Sequence, residues 1–144
     1  QKWVRAVKDR AFSGITPRDG YGGDEDQGQG GGISLLMALG LFQLRGGCAV
    51  DPIYEITSPI FDKITIHLDP RYYSGDKFVI TTRNNSPDND YIQSAKLNGK
   101  TLRRPWFYHR QLTSGGTLEI ELGPEPDKQW GSRPQDAPPS TFGG

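Results

Sequence analysis

Three carboxylates stand side by side at Asp24-Glu25-Asp26, framed by glycine in the run Gly22-Gly23-Asp24-Glu25-Asp26-Gln27-Gly28-Gln29-Gly30. Oxygen ligands crowded on one loop suit two tasks, holding a cation or taking a proton from water, and glycine lets the backbone adopt turns closed to other residues. The competing reading is an acidic turn that caps the next helix and complements its dipole. The triplet lies several residues before the apolar run, with more flanking glycine than a cap requires. A close approach of backbone and ligand explains that excess better. Gln27 and Gln29 could orient a hydroxylated ligand or satisfy loop backbone groups.

The elements that must carry this loop are helical. Trp3, Val4, Val7 and Ala11 recur at helical spacing over residues 1–12, and Ser13-Gly14 and Thr16-Pro17 stop that helix. The helix opens without an initiator Met, a signal sequence or an N-cap, and so reads as entered midway. A glycine loop over 18–32 then leads into a second helix from Ile33 to about Leu44, ending near Gly46-Gly47. Its Ile33, Leu35, Leu36, Met37, Leu39, Leu41, Phe42 and Leu44 spread over the whole circumference instead of one stripe. Each such side chain is worth about 1.5 to 3 kcal/mol when buried, against a net domain stability of about 5 to 15 kcal/mol. A helix of that kind needs neighbours on every side, so the chain reads as a piece of a larger protein or one chain of a tight assembly.

From Tyr54 the period changes from helix to strand. Ile64, Ile66 and Leu68 alternate with Thr65 and His67, Phe78 and Ile80 with Val79 and Thr81, and Leu118, Ile120 and Leu122 with Glu119 and Glu121. These predict half-buried antiparallel strands. Asn98-Gly99 has the composition of a two-residue hairpin turn, and Ser114-Gly115-Gly116 reads as another turn. Residues after Trp130 carry Pro134, Pro138 and Pro139 with little that is apolar, which predicts a tail tied down weakly if at all.

Across 144 residues, Lys+Arg 17 against Asp+Glu 17 leaves no net charge, so no basic field exists to attract nucleic acid or an anionic membrane. The apolar run over 35–42 is far below the roughly 20 residues of a membrane span. Cys48 is the only cysteine and can close no disulfide within the chain. Other signatures fail on inspection. Ile33 stands where the last glycine of a dinucleotide fingerprint belongs, Ser94 where a phosphate loop needs its first glycine, and Asp24 and Asp26 lack the turn glycine and distal Glu of an EF-hand. His67 and His109 show no partner residue, and Trp3 at helical spacing reads as core. Asn84-Asn85-Ser86 fits a glycosylation sequon.

A collinear series of segments resembles the C-terminal end of glycoside hydrolase family 92, the calcium-dependent exo-acting alpha-mannosidases. The series comprises Gln1-Lys2-Trp3-Val4, Gly23-Asp24-Glu25-Asp26-Gln27-Gly28-Gln29, Ala38-Leu39-Gly40-Leu41-Phe42, Ser58-Pro59-Ile60-Phe61-Asp62-Lys63, Asn84-Asn85-Ser86, Tyr91-Ile92-Gln93-Ser94, Leu97-Asn98-Gly99-Lys100, Gly115-Gly116-Thr117-Leu118 and Gly123-Pro124. The resemblance implies an α+β chain: residues 1–46 as terminal helices and acidic loop of a catalytic (α/α)6 barrel, 47–131 as an antiparallel β-rich C-terminal module, and 132–144 as a flexible tail. It further implies hydrolysis of terminal alpha-linked mannose from glycans with inversion, in a periplasmic or secreted enzyme.

Within that resemblance Asp26 is the general base, with Asp24 as second candidate or partner. Glu25 and Gln29 contact substrate, and Asp24 and Asp26 approach calcium directly or through water. The general acid lies upstream of these residues, in an N-terminal part of the same enzyme that joins the mannose-containing glycan as a partner, so the isolated chain is expected to be inactive. A non-catalytic carbohydrate-binding β module, with an aromatic platform around Trp106, is the alternative. A structural fragment whose acidic loop is only a cap is a third.

Overall fold

The structure, a computed structural model, describes residues 1–16, 18–20 and 27–140. Helix α1 (Lys2–Ala11) follows the spacing of its apolar residues. Gln1 makes no side-chain cap; its Oε1 instead accepts the backbone N–H of Ile92 at 2.7 Å. Trp3 does not enter a core, being 76% exposed. The helix is anchored from its other side by Arg5, which is 6% exposed.

Helix α2 (Gln29–Leu39) begins and ends earlier than the apolar pattern predicts. Gly30, Gly31 and Gly32 are inside it, with the N–H of Gly32 bonded to the carbonyl of Gly28 at 3.0 Å. Its end is set by Gly40, which takes the left-handed conformation at φ 72° and donates to the carbonyl of Met37 at 3.2 Å. A Cβ there would stand 2.6 Å from Pro59 Cγ and 2.7 Å from the carbonyl oxygen of Thr57, so only glycine fits the stop. Leu41 and Phe42, which continue the apolar run, turn away as strand β1 (Leu41–Phe42).

Two sheets follow. A three-stranded sheet has the order β1, β2 (Ile53–Ile56), β7 (Trp106–Tyr108), all antiparallel. A five-stranded sheet has the order β3 (Lys63–His67), β4 (Lys77–Arg83), β8 (Gly116–Gly123), β5 (Tyr91–Leu97), β6 (Lys100–Thr101). The first sheet joins β1 to strands beyond residue 46, so its hydrogen bonds cross the boundary read between helices and β module.

The sheet is not antiparallel throughout. β8 pairs parallel to β4, Phe78 opposite Gly116 and Ile80 opposite Leu118, and antiparallel to β5. Alternation specifies which face a strand buries, not which neighbour it pairs with. The chain leaves β4, makes the β5–β6 hairpin, passes through β7 and the short helix α3 (His109–Thr113), and only then inserts β8 between β4 and β5. The predicted hairpin turn is present: Asn98 and Gly99 both have positive φ, 50° and 75°, and Asn98 Oδ1 accepts the N–H of Thr117 at 2.7 Å.

The core lies where the sheets meet. Phe78, Ile80, Ile92, Leu118, Ile120 and Leu122 from the larger sheet form one cluster with Leu41, Ile56 and Phe107 from the smaller. Phe78 and Phe107 stack with centroids 5.8 Å apart and planes 16° from parallel. Opposite this apolar face, β8 presents Glu119 and Glu121 between Thr81 and Arg83 of β4 and Lys96 and Ser94 of β5.

Residues 133–139, read as part of a loose tail, are held at several points. Arg133 and Asp136 pair through two bonds of 2.7 Å, Trp106 Nε1 donates to the carbonyl of Asp136 at 2.9 Å, and Arg45 donates to the carbonyl of Pro139. Pro134 opens a short 3-10 turn, Pro134–Asp136, where its fixed φ suits the first helical position, and these side chains then fasten it.

Candidate functional site

Described residues flank the acidic triplet on both sides. On the upstream side, Asp19 Oδ1 accepts the backbone N–H of Thr16 at 2.9 Å and also its hydroxyl, while Gly20 N–H reaches the carbonyl of Thr16 at 2.9 Å. The Thr16 hydroxyl and backbone bonds hold the Asp19 carboxyl below the usual aspartate range. A Cβ on Gly14 would lie 1.8 Å from the carbonyl oxygen of Asp19, so the chain folds back here only because residue 14 has no side chain. On the downstream side, Gly28 stands at φ 73° and α2 starts at once.

Of the residues singled out by sequence, Asp24, Glu25 and Asp26 lie outside the described residues. Gln29 is the first residue of α2 and is exposed, as is Gln27 in the turn before it. Among the described residues, no group of three or more His, Cys, Asp or Glu could hold a metal ion. Carboxylate oxygens such as those of Asp24 and Asp26 are hard ligands of the kind calcium takes, yet calcium takes about six to eight oxygens. Two carboxylates supply at most part of such a shell.

Other candidates are reassigned by their contacts. Trp106 is 4% exposed, with the Arg104 guanidinium 3.9 Å from its ring centroid and its indole N–H committed to Asp136, so it is no platform for a sugar. His109 does have a partner, since its Nδ1 lies 3.1 Å from the Tyr54 hydroxyl, whose pKa is raised mainly by burial. His67 is exposed at the end of β3, and Cys48 is an exposed free thiol. Asn84 is exposed at φ 58°, with its carbonyl accepting from Asn89 Nδ2 at 2.6 Å.

Sequence reasoning missed Arg5 and the cleft beside Trp130. Arg5 donates to the carbonyls of Pro59 and Ser86 and to Asn85 Oδ1, with its Nε 3.8 Å from Asp90. Helical spacing puts Arg5 among polar surface positions, and nothing local signals that its partners lie in the β module. The cleft has a volume of about 480 Å3 and is walled by β5, β6 and residues 127–136.

The described residues place two helices, α1 and α2, beside a three-stranded and a five-stranded sheet. The model of the glycosyl hydrolase family 92 catalytic domain matches residues 1–124. This chain belongs to glycosyl hydrolase family 92.

A curated relative from the fungus Arthroderma benhamiae, an uncharacterized secreted glycosidase, is 34% identical over 127 residues, covering 87% of this chain and 16% of the relative. The family GH92 inverting mannosidase of Bacteroides thetaiotaomicron superposes with a TM-score of 0.79 at 36% identity, over 95% of this chain and 17% of that one. A family GH92 alpha-mannosidase of the same bacterium gives 0.85 at 26% identity, over 97% and 18%. The same alpha-mannosidase in complex with mannoimidazole also gives 0.85, at 27% identity. The chain therefore spans less than a fifth of the length of these relatives.

Proposed function

We propose that this chain is the C-terminal portion of an inverting exo-alpha-mannosidase that removes terminal alpha-linked mannose from glycans such as N-glycans, and that it contributes the general-base loop. The reading rests on the family match over residues 1–124 together with the superposition on mannosidases at 26% and 36% identity. The α+β fold agrees with it. So do the exposed Trp3 and Val7 of α1 and Leu35 of α2, apolar surface of the kind the last helices of an (α/α)6 barrel would bury. The secreted fungal relative supports a periplasmic or secreted setting.

In this reading Asp26 accepts a proton from the water that attacks the anomeric carbon, and Asp24 beside it raises or supports its basicity. A glutamic acid from the upstream part of the enzyme protonates the leaving oxygen. Inversion requires the two carboxyl groups about 6.5 to 9.5 Å apart, with room for that water. Glu25 and Gln29 contact sugar hydroxyls. Calcium, with Asp24 and Asp26 as this chain's contribution to its shell, would supply binding and distortion of the sugar through its 2- and 3-hydroxyls.

The test is hydrolysis of an aryl alpha-mannoside, followed by proton NMR of the first-formed sugar, with the 144-residue chain alone and with a complete family 92 enzyme carrying this segment. The expected result is no turnover by the chain alone and beta-mannose as the first product of the complete enzyme. Turnover by the chain alone, or alpha-mannose as first product, overturns the reading.

A further inference from the structure

The cleft between the β5–β6 hairpin and the returning segment 125–136 is built from two sources. Its near wall is Gln93, Thr101 and Arg103, and its far wall is Gln129, Trp130 and Arg133. The near wall lies within residues 1–124, which the family model matches, and the far wall lies beyond them. The wall is fixed in place: Trp130 Nε1 donates to the carbonyl of Leu102 at 2.8 Å, Gln93 Nε2 donates to the carbonyl of Glu125 at 2.7 Å, and Asp127 Oδ1 accepts the N–H of Gln129 at 2.8 Å. A cleft held open by such bonds needs little ordering when a ligand enters.

The polar groups left over define the ligand. Gln93 spends its amide donors on Tyr91 and Glu125, which leaves its carbonyl as an acceptor. Arg133 is neutralised by Asp136 in a two-bond pair, and Arg103 lies near enough to Asp136 to feel its charge but makes no hydrogen bond among those of the described residues. The cleft also contains the Asp127 carboxylate, so its positive and negative charges balance, two of each. Half-buried Trp130 adds an aromatic surface to this mixture of acceptors and donors. Balanced charge, a guanidinium fork, amide and hydroxyl groups, and one indole suit a neutral polyhydroxylated molecule, and a volume of about 480 Å3 is within the usual range of about 300 to 1,000 Å3 for ligand sites. The smaller cavity around Arg5 differs, because Pro59, Asn85 and Ser86 already occupy that guanidinium.

We propose that this cleft is a non-catalytic saccharide-binding site, with Arg103 and Gln129 hydrogen-bonding the hydroxyls of a neutral oligosaccharide and Trp130 facing its ring. It would hold a glycan on the β module while another part of the same glycan is processed; that choice of glycan rests on the mannosidase reading, whereas the cleft itself does not.

The experiment is a titration of the isotopically labelled 144-residue chain with alpha-mannobiose, followed by backbone amide NMR. Saturable shifts confined to Thr101, Arg103 and residues 129–133, weakened at least tenfold in Arg103→Ala and in Gln129→Ala and unchanged in Lys96→Ala, are expected. Absence of saturable shifts at those amides overturns the proposal. So do shifts that survive both cleft variants but vanish in Asp26→Asn, which would put the sugar on the acidic loop. A response of the same amides to sulfate and none to mannobiose would make the cleft an anion site and overturn it equally. Failure of hydrolysis in a complete enzyme would refute the catalytic reading and leave this titration unaffected.

Discussion

The guanidinium of Arg5 on α1 reaches Ser86 in the β4–β5 connection, donating to its backbone carbonyl at 3.2 Å, and so fastens the helical segment to the five-stranded sheet. The same group donates to the Pro59 carbonyl and lies 3.8 Å from Asp90. Removing it strands the buried Pro59 carbonyl and leaves the half-buried Ser86 carbonyl and Asp90 carboxylate without their cation. Arg5→Ala is expected to destabilise the chain by about 3 kcal/mol, and Arg5→Lys to recover only part, because a point charge cannot replace a planar fork. Urea denaturation checks both, and a loss below about 1 kcal/mol in Arg5→Ala would show that the helix is held by other contacts.

Gly40 makes the second prediction. Its left-handed backbone and the nearness of Pro59 both exclude a side chain. Gly40→Ala is expected to cost at least about 2 kcal/mol, more than the effect of the same change at Gly32, where a Cβ meets nothing within 4 Å. Thermal unfolding of the two variants side by side gives the comparison, and equal midpoints would contradict it.

Segment 133–139 should respond to acid in one direction. The hydrogen bonds from Arg133 hold the Asp136 carboxyl below the usual aspartate value. A depressed carboxyl adds stability above its unfolded pKa, and that contribution disappears as pH falls through the lower folded value. The clamp therefore persists through mildly acidic pH and opens only below the ordinary aspartate range. Tryptophan emission should change only there in the parent chain and already at neutral pH in Arg133→Ala, because Trp106 bonds to the Asp136 carbonyl. Identical emission from the two proteins at neutral pH would separate the clamp from Trp106.

On the proposed reading, Asp26→Asn in a complete enzyme keeps the shape of the proposed base and removes its proton affinity. kcat is expected to fall about 100- to 10,000-fold. Gln29→Ala should instead raise KM with kcat nearly unchanged, as for a group that binds ground state and transition state alike. A kcat within a few fold of the parent in Asp26→Asn would assign the base elsewhere.

Several features were legible in residue order because their causes are local. Asn98-Gly99 needs no distant partner to form its turn, and the alternation at 118–122 states which side of β8 is buried. The end of α2 was also written locally, in Gly40, but the apolar residues on both sides of it masked the signal. Arg5 shows the opposite case. Its polarity places it on a helix surface by pattern, and only the arrival of Pro59 and Ser86 from the β module makes that surface an interior. The cleft beside Trp130 was invisible for the same reason, since its walls come from β5, β6 and a proline-rich return.

By itself the sequence determined the α+β character, the strand faces and the family, because periodicity and collinear motifs are properties of neighbours along the chain. Tertiary structure decided that β8 slots parallel against β4, that Trp106 is buried while Trp3 is exposed, and that 133–139 is fastened to β7. Those outcomes depend on which surfaces meet after the chain closes long loops, and burial against a distant surface outweighs any preference a residue carries locally.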